Sequence, residues 1–155
     1  LVSSEMCIRD RVKCYNKLKI IERCQMDWII PCNPKYYNVK CAMTDLKIVD
    51  WKQSNKNISA GDIVYIYVGS PISAIKYQCK VNKANIPFCE IDDSKYEINS
   101  DVYKHYGNYM ELELIKDFPD YLCTISKMRS LGLKGNIQSP RSIPAEVQNL
   151  LENFK

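Results

Sequence analysis

Residues 61–71 read GDIVYIYVGSP, and no other stretch limits the fold so tightly. Gly61 and Asp62 open it with a turn signal, and Gly69, Ser70 and Pro71 close it with another. The six residues between are therefore predicted to form a strand. Successive side chains of a strand point to opposite faces. Ile63, Tyr65 and Tyr67 thus share one face, and Val64, Ile66 and Val68 the other. Neither face suits water. Aliphatic burial accounts for one of them, and the tyrosines on the other need a partner of their own.

The neighbouring patterns extend this strand into a domain. Trp28, Ile29 and Ile30 form a short apolar run stopped by Pro31, Cys32, Asn33 and Pro34, which reads as a strand running into a fixed loop. Asn38 is placed to cap a helix that buries Val39, Ala42, Met43 and Leu46, at helical spacing. Residues 48–51 form a short extended piece. Beyond Pro71, residues 74–81 alternate, with Ile75, Tyr77, Cys79 and Val81 inward and Lys76, Gln78 and Lys80 outward. Residues 82–107 lack periodicity and read as a long excursion between strands. Met110, Leu112 and Leu114 then mark one more inward face. A helix is expected to begin at Thr124 or Ser126, and a last one, with Pro144 in its first turn, to bury Val147, Leu150, Leu151 and Phe154.

Four or five strands with three helices at their flanks imply a small, mostly antiparallel α+β domain, a partly closed barrel. A chain of 155 residues suits one such domain. Residues 2–11 (VSSEMCIRDR) resemble translated sequencing-adapter sequence. Residues 1–25 are accordingly set apart as a leader, partly artefactual, from a domain at 26–155.

Chemistry-bearing residues are sparse. The eight cysteines are scattered, none at the two-residue spacing of a zinc knuckle, and the one histidine is His105. They read as reduced thiols of a cytoplasmic protein, with neither a metal site nor a disulfide framework expected. Asp92 and Asp93 lie in the excursion, while Glu111 and Glu113 face outward from a strand. GNIQSP lacks the spacing and lysine of a phosphate loop. The expectation is a protein that is not an enzyme, needs no cofactor and does not enter a membrane. Its net charge of +4 permits an anionic partner without requiring one.

Binding is better supported. The two tryptophans, Trp28 and Trp51, each neighbour a constrained loop, and Tyr36, Tyr37, Tyr65 and Tyr67 lie in the same half of the chain. Flat rings beside rigid loops suit a planar base, although aromatic residues in so small a barrel are often core. WIIPCNP (28–34), VDWKQ (49–53), GDIVYIYV (61–68) with Pro71, YMELE (109–113) and GLKGNIQSPR (132–141) come in an order and spacing that resemble the EVE domain, a branch of the PUA-like fold.

That resemblance implies a pseudo-β-barrel with flanking helices and a pocket for a base flipped out of nucleic acid. The base would be a methylated or hydroxymethylated cytosine in DNA, read for a restriction or defence system whose nuclease or motor is another chain or a missing part of the gene. On this reading one face of GDIVYIYVGSP fills the barrel and the other reaches the pocket. Trp51 stacks on the base, with Trp28 or Tyr67 opposite and Tyr65 nearby. Asn33, Ser70 and Gln138 meet its polar edge, and Gly69 lets it approach the backbone. Arg141, Lys134, Lys76 and Lys80 hold phosphates. An RNA-binding module of the same fold and a sensor of free nucleosides or metabolites remain the alternatives.

Overall fold

The computed structural model describes residues 24–87, 94–98 and 107–155. Expectations about the leader before residue 24, and about Asp92, Asp93 and His105, fall outside these residues. The elements are β1 (Asp27–Cys32), α1 (Val39–Asp45), β2 (Ile48–Lys52), β3 (Ile63–Val68), β4 (Ala74–Pro87), β5 (Asn108–Asp117), α2 (Ile125–Ser130), β6 (Arg141–Ser142) and α3 (Ala145–Glu152). A single 3-10 turn spans Ser94–Tyr96.

The six strands form one sheet in the order β2-β5-β4-β3-β1-β6. All pairs are antiparallel except β1 with β3, where Trp28 lies beside Val64 and Cys32 beside Val68. The fold is α+β, and the barrel does not close: β2 ends the sheet on one side and β6 on the other.

The strand that constrained the fold is covered on both faces. Val64, Ile66 and Val68 point into a core shared with Trp28, Ile30, Tyr77, Cys79, Val81, Met110 and Leu112, which α1 roofs with Val39, Ala42 and Met43. Burying each of these aliphatic side chains is worth about 1.5–3 kcal/mol. Ile63, Tyr65 and Tyr67 pack instead under the C-terminal helices, with Phe118, Met128, Val147 and Leu151. The tyrosine face is thus mainly a second core.

Local chemistry explains the helix starts. The Asn38 side chain accepts from Cys41 N–H at 3.2 Å, and Thr124 Oγ1 accepts from Lys127 N–H at 3.1 Å; each satisfies an orphan donor of a first turn. Leu46 departs from the expectation. It follows α1 as an extended residue and is exposed, because the helix ends one residue before it could turn back to the core.

Two expectations about β4 also change. The strand continues to Pro87, so residues 82–87 belong to the sheet rather than to an excursion. A bulge opposite Ile66 and Tyr67 inserts Lys76 as an extra residue, and this places Ile75 under the helices while Tyr77, Cys79 and Val81 keep to the barrel core.

Candidate functional site

An open barrel leaves a seam, and here the seam is where the sequence's candidate residues gather. β6 pairs only with Trp28 and Ile29, so β1 runs on past its neighbour. Beyond that point Ile30, Pro31, Cys32 and Asn33 face Trp51 and Lys52 of the opposite edge across a cavity of about 240 Å³, closed at one end by Gln138, Ser139 and Pro140. A second, wider groove of about 500 Å³ adjoins it. Pro31, Cys32, Asn33 and Gln138 line both, and Tyr67, Gly69, Ser70, Ile137 and Lys35 complete the second. The larger space falls within the roughly 300–1,000 Å³ of small-ligand sites.

The lining has a consistent chemistry. Among the described residues neither cavity is lined by a carboxylate, and each has one lysine, Lys35 or Lys52. Asn33 Oδ1 accepts from Lys35 N–H at 3.0 Å. Because that donor is a backbone N–H, the contacting atom must be the oxygen, and the amide NH2 is left to face outward. Pro31 has no N–H. Strand alternation turns its carbonyl away from β3, since Cys32 O already accepts from Gly69 N–H at 2.9 Å. The seam therefore offers fixed donor and acceptor groups around a half-buried indole, which an edge-to-face contact with Tyr37 (centroids 5.3 Å apart) holds in place.

Cys32 lies beneath both cavities. Burial pushes its thiol up to about 12, so it is a neutral thiol at physiological pH and a poor nucleophile. Gly69 adopts no left-handed backbone, and a Cβ there would meet Cys32 O and Pro34 Cδ only at ordinary contact distances of 3.5 and 3.7 Å. The fold itself thus does not demand glycine at the lip of the groove.

Of the eight residues expected at a base pocket, Asn33, Trp51, Tyr67, Gly69, Ser70 and Gln138 line the seam. Trp28 and Tyr65 do not. Trp28 is 7% exposed and donates from Nε1 to Asp62 Oδ2 at 3.1 Å, which makes it a core anchor at the opposite end of β1. Tyr65 is buried beneath α2 and α3, with its hydroxyl accepting from Gln78 Nε2 at 3.4 Å.

The expected phosphate contacts fare worse. Lys76 is held by Asp120 at 2.7 Å and donates to Phe118 O at 2.6 Å, so its charge is already spent within the fold. Lys80 pairs in register with Ile63 and Glu113, at the end of β3 remote from Gly69. Arg141 donates to Lys134 O at 2.7 Å and braces the loop that carries Gln138; Lys134 is exposed on that loop. Among the described residues the cations that do line the seam are Lys35 and Lys52, neither of which is among the expected phosphate contacts. They immediately follow WIIPCNP and Trp51, and position beside those motifs was the one signal available.

No family model matches the chain, and no curated protein matches it in sequence. Its fold does match solved structures. An ASCH protein from Zymomonas mobilis superposes with a TM-score of 0.57 at 9% identity, covering 84% of this chain and 100% of that one. A Pseudomonas putida protein gives 0.57 at 16% identity, over 81% and 97%. A hypothetical protein from Leishmania major gives 0.53 at 14% identity, over 83% and 92%. At these identities the likeness shows the fold alone: an α+β domain of the same fold as the ASCH protein.

Proposed function

We propose that the chain is a non-enzymatic nucleic-acid-binding module of EVE type that takes a flipped base into the seam between β1 and β2. The observation that carries this reading is the seam itself: a half-buried tryptophan beside fixed donors, flanked by lysines and lined by no carboxylate among the described residues. Stacking on an indole is worth about 1–3 kcal/mol per base. Flipping a base costs a few kcal/mol, so a pocket must also hydrogen-bond its edge. Asn33 NH2, Ser70 and Gln138 supply that edge recognition, and Lys35 and Lys52 neutralise the adjoining phosphates.

Modified cytosine in DNA is the first candidate ligand, through the resemblance of the five motifs to EVE domains. A role in restriction or defence follows from the same resemblance, with cleavage assigned to a partner chain, and the scattered cysteines, read as reduced thiols, put that role in the cytoplasm. The raised pKa of Cys32 and a lining that holds no carboxylate among the described residues support binding rather than catalysis.

The test is a titration of duplex DNA, single-stranded DNA and RNA, each with cytosine, 5-methylcytosine or 5-hydroxymethylcytosine, at two salt concentrations. The expected result is tightest binding to a modified DNA, weakening steeply with salt. Preference for RNA would move the reading to an RNA module. Salt-independent binding of a free nucleoside, with no binding of any polymer, would overturn it.

A further inference from the structure

We propose that the base site continues past Trp51 into a third cavity, so that the protein holds a single strand running over the base site and not one isolated base; the proposal rests on the nucleic-acid reading above. The third cavity, of about 480 Å³, is lined by Gln53, Asn55, Lys56, Asn85 and Asn108 among others, and Ser54 lines both it and the seam. The groove at Gly69 and Ser70, the seam at Trp51 and this cup thus form one path. Lys35, Lys52 and Lys56 lie along it, and among the described residues no carboxylate lines any of its three parts.

The asparagines give the path its direction of recognition. In the cup, Asn55 Oδ1 accepts from Asn57 N–H at 2.9 Å, and Asn85 Oδ1 accepts from Gln53 Nε2 at 3.2 Å. Asn33 repeats the arrangement at the other end, with Oδ1 accepting from Lys35 N–H. In all three the acceptor end of the amide is engaged within the protein, so the NH2 is the end left for a ligand. Gln53 makes the cup rigid. Buried, it contacts Asn55 O, Ile58 O and Asn85 Oδ1 through Nε2 and accepts from Asn85 N–H at 2.7 Å.

A path of outward amide donors and lysines suits a ligand rich in acceptors and negative charge. Phosphate oxygens and base carbonyls repeat in that way along a nucleic-acid strand. Small barrels that bind single strands commonly cover on the order of 4–16 nucleotides, tracking the backbone with basic grooves.

The experiment compares a single-stranded DNA of about ten nucleotides, carrying the preferred base at its centre, with the corresponding mononucleotide. Wild-type protein, Asn55→Asp and Lys56→Ala are each titrated with both. Asn55→Asp keeps an oxygen for Asn57 N–H while replacing the donor by a carboxylate. Lys56→Ala removes an exposed side chain, and melting curves confirm that both variants fold. The decamer should bind wild type roughly 10- to 100-fold tighter than the mononucleotide. Both variants should cut decamer affinity by about 5-fold or more, and both should leave mononucleotide affinity within about twofold. If the decamer binds no tighter than the mononucleotide, or both variants leave its affinity unchanged, the track is overturned while the base site stands. If wild type binds neither ligand, base site and track fall together.

Discussion

The two tryptophans occupy opposite ends of the same architecture, and their surroundings differ in one respect: what satisfies the polar groups. At the closed end Trp28 is buried, and its Nε1 reaches Asp62, a carboxylate only 3% exposed. Asp62 also accepts from Met26 N–H at 3.1 Å and Ser59 N–H at 3.0 Å. A buried charge would cost several kcal/mol alone, and here three donors compensate it. At the open end Trp51 is half-buried, and around it Asn33, Pro31 and Gln138 keep polar groups turned toward a cavity. One end has its hydrogen bonds completed by the protein. The other has them arranged for something else.

Breaking the closed end should have the largest effect. Trp28→Ala is expected to cost about 3–5 kcal/mol and to leave Asp62 with one donor fewer. In a domain of this size that lowers the melting temperature by roughly 6–20 °C. Trp28→Phe should lose less, since most of the burial survives and the two backbone donors to Asp62 remain. Thermal melts check both. A Trp28→Ala protein that melts with the wild type would place Trp28 outside the core.

Trp51→Ala should invert that pattern. Loss of a stacking wall is expected to weaken nucleic-acid binding about 5- to 150-fold, while stability falls by clearly less than for Trp28→Ala, because Trp51 is already partly open to solvent. Fluorescence titration and melting of the same sample separate the two effects. If Trp51→Ala unfolds the domain, or stays folded and binds normally, the seam is not the base site.

Smaller effects distinguish the lysines. Lys35→Ala should reduce the slope of log affinity against log salt by about 0.7–0.9, the value of one phosphate contact, and should weaken modified and unmodified strands alike. Lys80→Ala should leave the slope unchanged, since Lys80 sits across from Glu113 at the far end of β3. Arg141→Ala should act through the loop it braces by its bond to Lys134 O. Its signature is a fall in affinity with little change in the salt slope.

The difference between the two ends also explains what could be read in the sequence. Strands β1, β3 and β5 and the caps Asn38 and Thr124 were legible because alternation and side-chain capping are local. Both tryptophans were recognised as candidates, but nothing local separates them. Trp28 is core because Asp62 lies beside it, 34 residues away in sequence. Trp51 lines a cavity because the edge strand β2 does not pair with the part of β1 that runs past β6. The fate of Lys76 was hidden for the same reason: alternation puts it on the solvent face, and only the bulge and the carboxylates of Asp117 and Asp120 reveal that its charge is taken.

The smallest expected effect comes from Asp27, at the closed end beside Trp28. Its carboxyl is raised from the ordinary value of 3.8, chiefly by burial, and further by the nearby negative charges of Glu152 and Asp62. Gln148 of α3 donates to it and to Glu152. A carboxyl whose folded pKa lies above its unfolded one favours the fold when protonated. That contribution is fully present below pH 3.8 and is lost as pH rises through the folded value. Asp27→Asn keeps an oxygen for the Gln148 amide and removes the charge. The variant should therefore match the wild type at low pH and become slightly more stable than it as pH rises, levelling off once Asp27 is ionised. The gain should be small, since Asp27 is only half-buried and solvent screens its neighbours. Melting curves of the two proteins across a pH series measure it, and titration with the preferred strand at neutral pH completes the comparison. Binding should be unchanged, because Asp27 lies at the end of β1 away from the seam. A variant that gains stability and loses affinity would show that the two ends are coupled, and that the closed end does more than hold the barrel together.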